Sequence, residues 1–319
     1  MRALQVVEFG QPALLQEADT PEPGPGEVLI RIHACGLNFA DLLMIKGTYQ
    51  VLPELPFSPG MEVAGVVAGH GAGVTEPAIG TRVGVYGGNG GLAEFGLFPA
   101  SLCVTLPDDM DFEAAAAFQV AYSTSHVALE HRANLKPGET LLVLGAAGGV
   151  GLTAVELGKQ MGATVIAAAR GSEKLKIARE RGADHLIDTD TDDLREIVKS
   201  LGGADVVYDP VGGALFKAAL RACNPEARIL VIGFASGEVP SIAANHILVK
   251  NISVLGFYWG GYTAFRPEVL TDSLAKLFAM HEAGQITPHI SHRVPLEQAN
   301  EGLELLRSRQ STGKVIVTV

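Results

Sequence analysis

Cysteine and tryptophan are scarce in this sequence of 319 residues, which contains three cysteines and one tryptophan. Cys35, Cys103 and Cys223 are far apart and form no C-x-x-C pair. A disulfide framework usually has an even number of cysteines, and a clustered zinc site needs its ligands at short spacing. The sequence therefore favours neither, and we expect buried thiols.

Long apolar runs and an excess of basic residues are also missing. Although 47% of the residues are hydrophobic, no segment approaches the roughly 18 consecutive apolar residues that indicate a membrane span. Residues 1–7 lack the apolar core and cleavage site of a signal peptide. The formal net charge of −11 argues against a sequence-independent grip on nucleic-acid phosphates. We therefore expect a cytoplasmic protein with no nucleic-acid partner and no membrane span.

The length and the hydrophobic content allow two domains, each with its own core. Residues 1–112 alternate between short strand-like segments and turns, which predicts a rolled, mainly antiparallel β domain. Strand and helix patterns then alternate from about residue 138 to residue 258, which predicts a doubly wound parallel sheet covered on both faces. The strand pattern of residues 313–319 needs a partner, and the N-terminal domain is the simplest one. The α/β domain would then be an insertion, with boundaries at 1–119, 120–258 and 259–319.

A buried-strand pattern at residues 141–144 leads into a run of small residues ending at Gly151. Such a strand, turn and helix form a phosphate cradle, because the free N–H groups and partial positive charge of a helix N-terminus attract a pyrophosphate. The dinucleotide fingerprint G-x-G-x-x-G lacks its first glycine here, where Ala146 stands, but the βαβ context is intact. The sequence therefore predicts dinucleotide binding at Gly148, Gly149 and Val150.

The residues after the second strand of this unit indicate which dinucleotide is bound. NAD-specific proteins place an acid there, on the ribose 2′-hydroxyl, whereas this chain has Ala169 followed by Arg170 and, shortly after, Lys174. A guanidinium and an ammonium suit a 2′-phosphate, so NADPH is the predicted cofactor. Further residues are assigned to the cofactor site, several of them because they follow later strands of the sheet: Ser123, Ser172, Gly233, Phe234, Phe257 and Trp259.

Three segments resemble motifs of the zinc-free quinone oxidoreductase branch of the medium-chain dehydrogenase/reductase superfamily. They are GLNFAD from Gly36, PGMEVAG from Pro59 and AAGGVG from Ala146, in that branch's order and spacing. The resemblance covers nearly the whole chain. It implies a GroES-like substrate domain, a Rossmann domain, NADPH and a homodimer, and residues 252–257 are similar to the strand through which family dimers pair.

The resemblance also argues against zinc. The alcohol dehydrogenase relatives place a cysteine where this chain has Asn38 and a histidine where it has Met61, and a catalytic zinc site needs about three Cys, His or carboxylate ligands. Glu62 alone cannot supply them. The histidine pairs, which lack the spacing of a metal motif, are expected to be surface or capping residues: His126 with His131, and His289 with His292.

Several single residues leave alternatives open. Asn38 is predicted to bond the nicotinamide ribose or the substrate carbonyl, although it could only close a loop. Asp41 either caps the helix that begins after Phe39 or orders the loop. Lys314 adds charge to the cofactor site or is solvated. Thr189 replaces a tyrosine that touches the 2′-phosphate in the zinc-free quinone reductases, which weakens the NADPH assignment without removing it.

Tyr49 lies in a segment, GTYQVLPELP, that resembles both quinone reductases and mitochondrial-type enoyl thioester reductases. In the enoyl reductases this tyrosine is the proposed proton donor or carbonyl anchor. A phenol stays protonated at neutral pH and can donate to a developing oxyanion, whereas the alternative is a loop tyrosine that only packs. The predicted function is metal-free hydride transfer from NADPH to a quinone. The alternatives are an enoyl reductase and a nucleotide-binding module without catalysis.

Overall fold

The structure, a computed structural model, describes all residues from 1 to 319 and divides them into two compact units. The first unit comprises Met1–Val120 and Pro288–Val319, and the second comprises Ala121–Thr287. Residues 259–287 thus lie in the second unit, whereas the sequence boundaries placed them with the first. The physical reason is that Leu270, Leu274 and Leu277 are buried on a helix whose Ser273 bonds to His126 of the same unit.

Fifteen strands and eleven α-helices make up the two units. The strands are β1 (Arg2–Gln5), β2 (Leu14–Glu17), β3 (Glu27–Gly36), β4 (Glu62–His70), β5 (Arg82–Tyr86), β6 (Phe95–Pro99), β7 (Cys103–Thr105), β8 (Thr140–Leu144), β9 (Thr164–Ala169), β10 (His185–Asp188), β11 (Ala204–Asp209), β12 (Cys223–Val231), β13 (Ser253–Gly256), β14 (Ile290–Pro295) and β15 (Lys314–Thr318). The helices are α1 (Phe39–Lys46), α2 (Phe112–Ala116), α3 (Gln119–His126), α4 (Gly149–Gln160), α5 (Ser172–Glu180), α6 (Leu194–Ser200), α7 (Gly213–Ala222), α8 (Ala244–Leu248), α9 (Tyr262–Phe265), α10 (Pro267–Glu282) and α11 (Ala299–Arg307). A π-helical segment, Val127–Arg132, continues α3. The longest α-helix, α10, has 16 residues, fewer than the roughly 20 that a membrane-spanning helix needs.

The first unit is built on a seven-stranded sheet of order β14-β15-β3-β4-β5-β7, with β6 also paired to β3. Its pairs are antiparallel except β14 with β15. As predicted, the C-terminal strand pairs with the N-terminal part of the chain: Ile316 lies opposite Gly36 and Val317 opposite Cys35. This pairing brings Lys314 to the end of β3, where the candidate site begins.

The second unit contains a six-stranded parallel sheet of order β10-β9-β8-β11-β12-β13. This is the predicted doubly wound arrangement, and the strand order reverses between β8 and β11, where such folds bind dinucleotides. Leu141, Leu142, Val143 and Leu144 of β8 are completely buried, because helices cover both faces of a parallel sheet. The predicted buried strand is therefore confirmed.

The cysteines are free thiols, and two of the three are buried. Cys35 lies in β3 and Cys223 begins β12, while Cys103 is half-buried at the start of β7. Burial raises the pKa of each thiol, which keeps it protonated.

Candidate active site

The turn from β8 into α4 has the geometry of a phosphate cradle. Gly145 has a φ of +61°, and a Cβ atom built on Gly151 would lie 2.1 Å from the carbonyl oxygen of Gly145. Only glycine at position 151 lets the first turn of α4 approach the loop so closely. Gly148 is the N-cap of α4, and no side chain makes a capping hydrogen bond to the N–H groups that begin the helix. The predicted strand, turn and helix are therefore present, and phosphate binding at this turn stays a prediction.

Several residues predicted for the cofactor site directly follow strands of the parallel sheet. Because parallel strands end at the same edge of the sheet, these residues lie at one edge. Arg170 follows β9, Gly233 and Phe234 follow β12, and Phe257 and Trp259 follow β13. The loop beside Gly233 is held in shape by Asp209, at the end of β11. Its carboxylate is almost fully buried and accepts hydrogen bonds from the N–H of Val211 at 2.7 Å and of Gly212 at 2.9 Å.

Ser123 and Trp259, both assigned to the cofactor site, are buried and bonded to each other. The indole N–H of Trp259 donates to Ser123 Oγ at 2.9 Å, Ser123 Oγ lies 3.3 Å from Ser273 Oγ, and Ser273 Oγ lies 3.0 Å from His126 Nδ1. An indole can only donate, so Ser123 accepts from Trp259, and either hydroxyl can donate in its contact with Ser273. Ser123 therefore fixes the ring of Trp259.

His126, which ends this chain of bonds, is 3% exposed. The expectation of a surface or capping histidine was therefore wrong for His126, since α10 covers its ring. Burial lowers the pKa of His126, more than the nearby Glu130 raises it, so the imidazole is neutral at neutral pH.

The residues around the predicted 2′-phosphate site lie on the loop after β9 and the start of α5. Gly171 is the N-cap of α5, and Ser172 and Lys174 lie in its first turn. Arg170 is exposed, and its Nε lies 3.0 Å from Oδ1 of Asp190, which follows β10. Thr189 donates its N–H to the carbonyl of Ala169 at 3.0 Å, which ties the two loops together.

A second group of predicted residues forms a buried polar cluster in the first unit. Lys314 Nζ donates to the carbonyl of Leu37 at 2.9 Å, to Asn38 Oδ1 at 2.8 Å and to Glu62 Oε1 at 2.6 Å. Lys314 is 4% exposed, so the expectation of a solvated lysine was wrong: pairing of β15 with β3 brings its side chain inside. All three hydrogens of the ammonium are donated to protein oxygens, so none is left for a cofactor.

The same cluster fixes the amide of Asn38. Its Nδ2 donates to Glu62 Oε1 at 2.9 Å and to the carbonyl of Gly36 at 3.1 Å, while Oδ1 accepts from Lys314. A flipped amide would place its NH₂ against the ammonium and its oxygen against the carboxylate, so the orientation is determined. Both amide hydrogens are used, so the amide has none to donate to a substrate carbonyl. Donation to the substrate carbonyl, one of the two roles predicted for Asn38, therefore does not fit this arrangement.

Asp41 ties α1 to the loop that precedes β4. Asn38 is the N-cap of α1, and Asp41, three residues on, accepts from the N–H of Asn38 at 2.8 Å and from the N–H of Gly60 at 3.0 Å. Asp41 therefore orders the loop and closes a capping box rather than being the N-cap itself. Burial raises the pKa of Asp41 to about 6, against the lowering effect of these two bonds.

The polar cluster does not fit a catalytic zinc ion. Asn38 is an amide, Met61 is a buried thioether, and Glu62 has one oxygen on the Lys314 ammonium and the other on the N–H of Val120 at 2.8 Å. An ammonium at this position repels a divalent cation, and no three His, Cys, Asp or Glu side chains are arranged to hold a metal. Cys35 stays a thiol because burial raises its pKa.

Tyr49 follows α1 in the turn beyond Gly47, whose φ is +77°. Its ring is half-buried and packs on the hydrophobic core of the first unit. The ring of Tyr49 therefore packs, as in the alternative interpretation of the sequence. A catalytic role would use only its hydroxyl.

Comparison with known proteins places this architecture in a family. A model of the alcohol dehydrogenase GroES-like domain matches residues 24–108, and a model described as zinc-binding dehydrogenase matches residues 149–276. The chain is also 41% identical to the quinone oxidoreductase-like protein 2 homolog of Nematostella vectensis, over 99% of this chain and 88% of that protein. The chain belongs to the quinone oxidoreductase family of the medium-chain dehydrogenase/reductase superfamily.

Two solved structures resemble this member of the quinone oxidoreductase family along its full length. One is a mycobacterial protein in complex with NADPH, 33% identical with a TM-score of 0.94. The other is the Escherichia coli quinone oxidoreductase in complex with NADPH, 28% identical with a TM-score of 0.94. Each match covers 100% of both chains. The predicted family and fold class are thereby confirmed.

Proposed function

We propose that this protein is an NADPH-dependent oxidoreductase of the cytoplasm that transfers a hydride to a quinone without a metal ion. The observation that carries the proposal is the glycine-rich turn before α4, combined with Ala169 rather than an acid at the end of β9 and Arg170 directly after it. The NADPH complexes of the two similar structures support it.

In this proposal, each group of residues has a separate task. The N-terminus of α4 holds the pyrophosphate, the loop after β9 holds the 2′-phosphate, and the loops after β12 and β13 line the nicotinamide. Asn38 accepts from a ribose hydroxyl, and Lys314 keeps its amide in the accepting orientation. When bound, NADPH would supply the hydride. The proposed cofactor contacts are Asn38, Ser123, Gly148, Gly149, Val150, Arg170, Ser172, Lys174, Gly233, Phe234, Phe257 and Trp259.

The polar cluster supports a quinone over an enoyl substrate. Reduction of an activated C=C bond builds enolate charge, which calls for a hydrogen-bond donor on the carbonyl. Asn38 has no hydrogen left for that purpose. A quinone needs less from the protein, because after hydride transfer it takes its proton from water. Enoyl reduction is the second candidate, and it requires the hydroxyl of Tyr49 as the donor.

The test is NADPH consumption with 9,10-phenanthrenequinone and with crotonyl-CoA, measured side by side. Turnover of the quinone alone supports the proposal. Turnover of crotonyl-CoA in preference to the quinone would replace it with the enoyl reductase. No turnover of either, with NADPH still bound, would leave a nucleotide-binding module.

Replacing Arg170 with alanine is expected to weaken NADPH binding about tenfold or more and to leave NADH binding nearly unchanged. A charge-assisted contact to the 2′-phosphate contributes about 1.5 to 3 kcal/mol, and NADH has no such phosphate. Titration of each cofactor by fluorescence or calorimetry measures the effect. Equal affinity of the unaltered protein for NADPH and NADH would contradict the assignment.

Extensive chelation is expected to leave the activity intact. The Lys314 ammonium is bonded to Glu62, a carboxylate beside Asn38 and Met61, so this proposal includes no Lewis acid for a chelator to remove. Activity and metal content are measured before and after treatment. A stoichiometric metal whose loss abolishes turnover would contradict metal-free catalysis.

We also propose a homodimer that forms through β13. This strand lies at the end of the parallel sheet and pairs only with β12, so one of its edges is open for a second copy. Light scattering during size-exclusion chromatography tests this, and a monomer at micromolar concentration would contradict it.

A further inference from the structure

The loops that follow β9 and β10 lie side by side, because the two strands are parallel neighbours. Asp188, the last residue of β10, joins these loops: its Oδ1 accepts from the N–H of Gly171 at 3.0 Å and of Asp190 at 3.1 Å. These backbone bonds lower the pKa of Asp188 and keep its carboxylate charged. The loop after β10 is therefore held against the residue proposed to bind the 2′-phosphate, Arg170.

The acids of this loop have different tasks. Asp192 Oδ2 accepts from the N–H of Asp188 at 2.8 Å, and Asp193 caps α6 through the N–H of Glu196 at 3.0 Å. Asp190 instead directs its carboxylate at the guanidinium of Arg170, with 3.0 Å between Oδ1 and Nε. Asp190 thus places a negative charge beside the Arg170 guanidinium, which is the group proposed to bind the 2′-phosphate.

The 2′-phosphate and the Asp190 carboxylate compete for the guanidinium of Arg170. The 2′-phosphate carries close to two negative charges and forms its strongest bonds with a guanidinium. If Asp190 stays in place, the two anions repel each other, and if it leaves, the ion pair with Arg170 is lost. The side chains of Arg170 and Asp190 are 61% and 51% exposed, so the pair is weak enough for a ligand to displace. NADH carries no 2′-phosphate and meets neither penalty.

We propose that Asp190 sets the cofactor discrimination of this protein by competing with the 2′-phosphate for Arg170. The inference rests on the proposed NADPH site. It makes Asp190 a specificity-determining residue, whose removal strengthens NADPH binding and leaves NADH binding alone.

The experiment is the titration of NADPH and NADH into the unaltered protein and into Asp190→Asn, at low and at high ionic strength. Asp190→Asn is expected to bind NADPH about three- to tenfold more tightly at low ionic strength, with a smaller gain at high ionic strength because salt screens exposed charges. NADH affinity is expected to stay within about twofold. The matched control is Glu196→Gln, which removes an exposed acid paired with Arg195 at 3.3 Å and should leave both affinities unchanged.

Arg170→Ala and the double variant Arg170→Ala/Asp190→Asn separate the possible failures. If Asp190 acts through Arg170, the Asp190→Asn change gains less than about twofold in the Arg170→Ala background. An unchanged NADPH affinity in Asp190→Asn, or an equal gain for NADH, overturns the role of Asp190 while the proposed NADPH site stands. If Arg170→Ala leaves NADPH binding intact, the proposed site itself is wrong and the role of Asp190 falls with it.

Discussion

Replacing Lys314 with methionine is expected to lower the free energy of unfolding by about 3 to 5 kcal/mol, because a buried carboxylate loses its cation. Glu62 is completely buried, and its Oε1 lies 2.6 Å from Lys314 Nζ. The remaining donors to this carboxylate, Asn38 Nδ2 and the N–H of Val120, carry no charge. Urea unfolding followed by circular dichroism measures the loss.

Two further variants test whether burial of the Lys314–Glu62 ion pair is the cause of the lost stability. Lys217→Met breaks an ion pair with Glu238 at 2.8 Å between side chains that are 53% and 58% exposed, and it is expected to change stability by less than about 1 kcal/mol. Glu62→Gln combined with Lys314→Met removes both buried charges and should recover most of the loss. If Lys314→Met were no more destabilising than Lys217→Met, the buried ion pair would not have the proposed importance.

Replacing Tyr49 with phenylalanine is expected to lower kcat by about tenfold to a thousandfold if the hydroxyl donates to the developing oxyanion. The substitution keeps the ring and its packing on the core of the first unit. Only the hydroxyl is removed, so NADPH binding should change little. Steady-state kinetics on the quinone and the enoyl substrate measure the effect on kcat and KM separately.

The control for Tyr49 is Tyr122→Phe. The hydroxyl of Tyr122 donates to Glu156 Oε2 at 2.5 Å inside the second unit, where it supports packing. Its loss is expected to lower stability and to leave kcat unchanged. An unaltered kcat with a raised KM in Tyr49→Phe would assign Tyr49 to substrate packing, a result compatible with quinone reduction but not with the enoyl alternative.

Local patterns in the sequence predicted most of the fold. The apolar run of β8, the glycines before α4 and the alternation of strands and helices are local signals, and each one matches an observed element. The C-terminal strand was also predictable, because an apolar strand needs a partner. β14 was not predicted, since it has no buried residue to produce an alternating pattern.

The glycine-rich turn before α4, and Ala169 followed by Arg170 where an acid would indicate NAD, are read from the sequence alone, because both are properties of adjacent residues. Only the tertiary structure decided the state of the charged groups. Pairing of β15 with β3 buries Lys314 and brings its ammonium to Asn38 Oδ1 and Glu62 Oε1. The alignment of β9 with β10 brings Asp190 to Arg170. These partners are distant in sequence, and hydrogen-bond direction and burial depend on which groups the fold brings together.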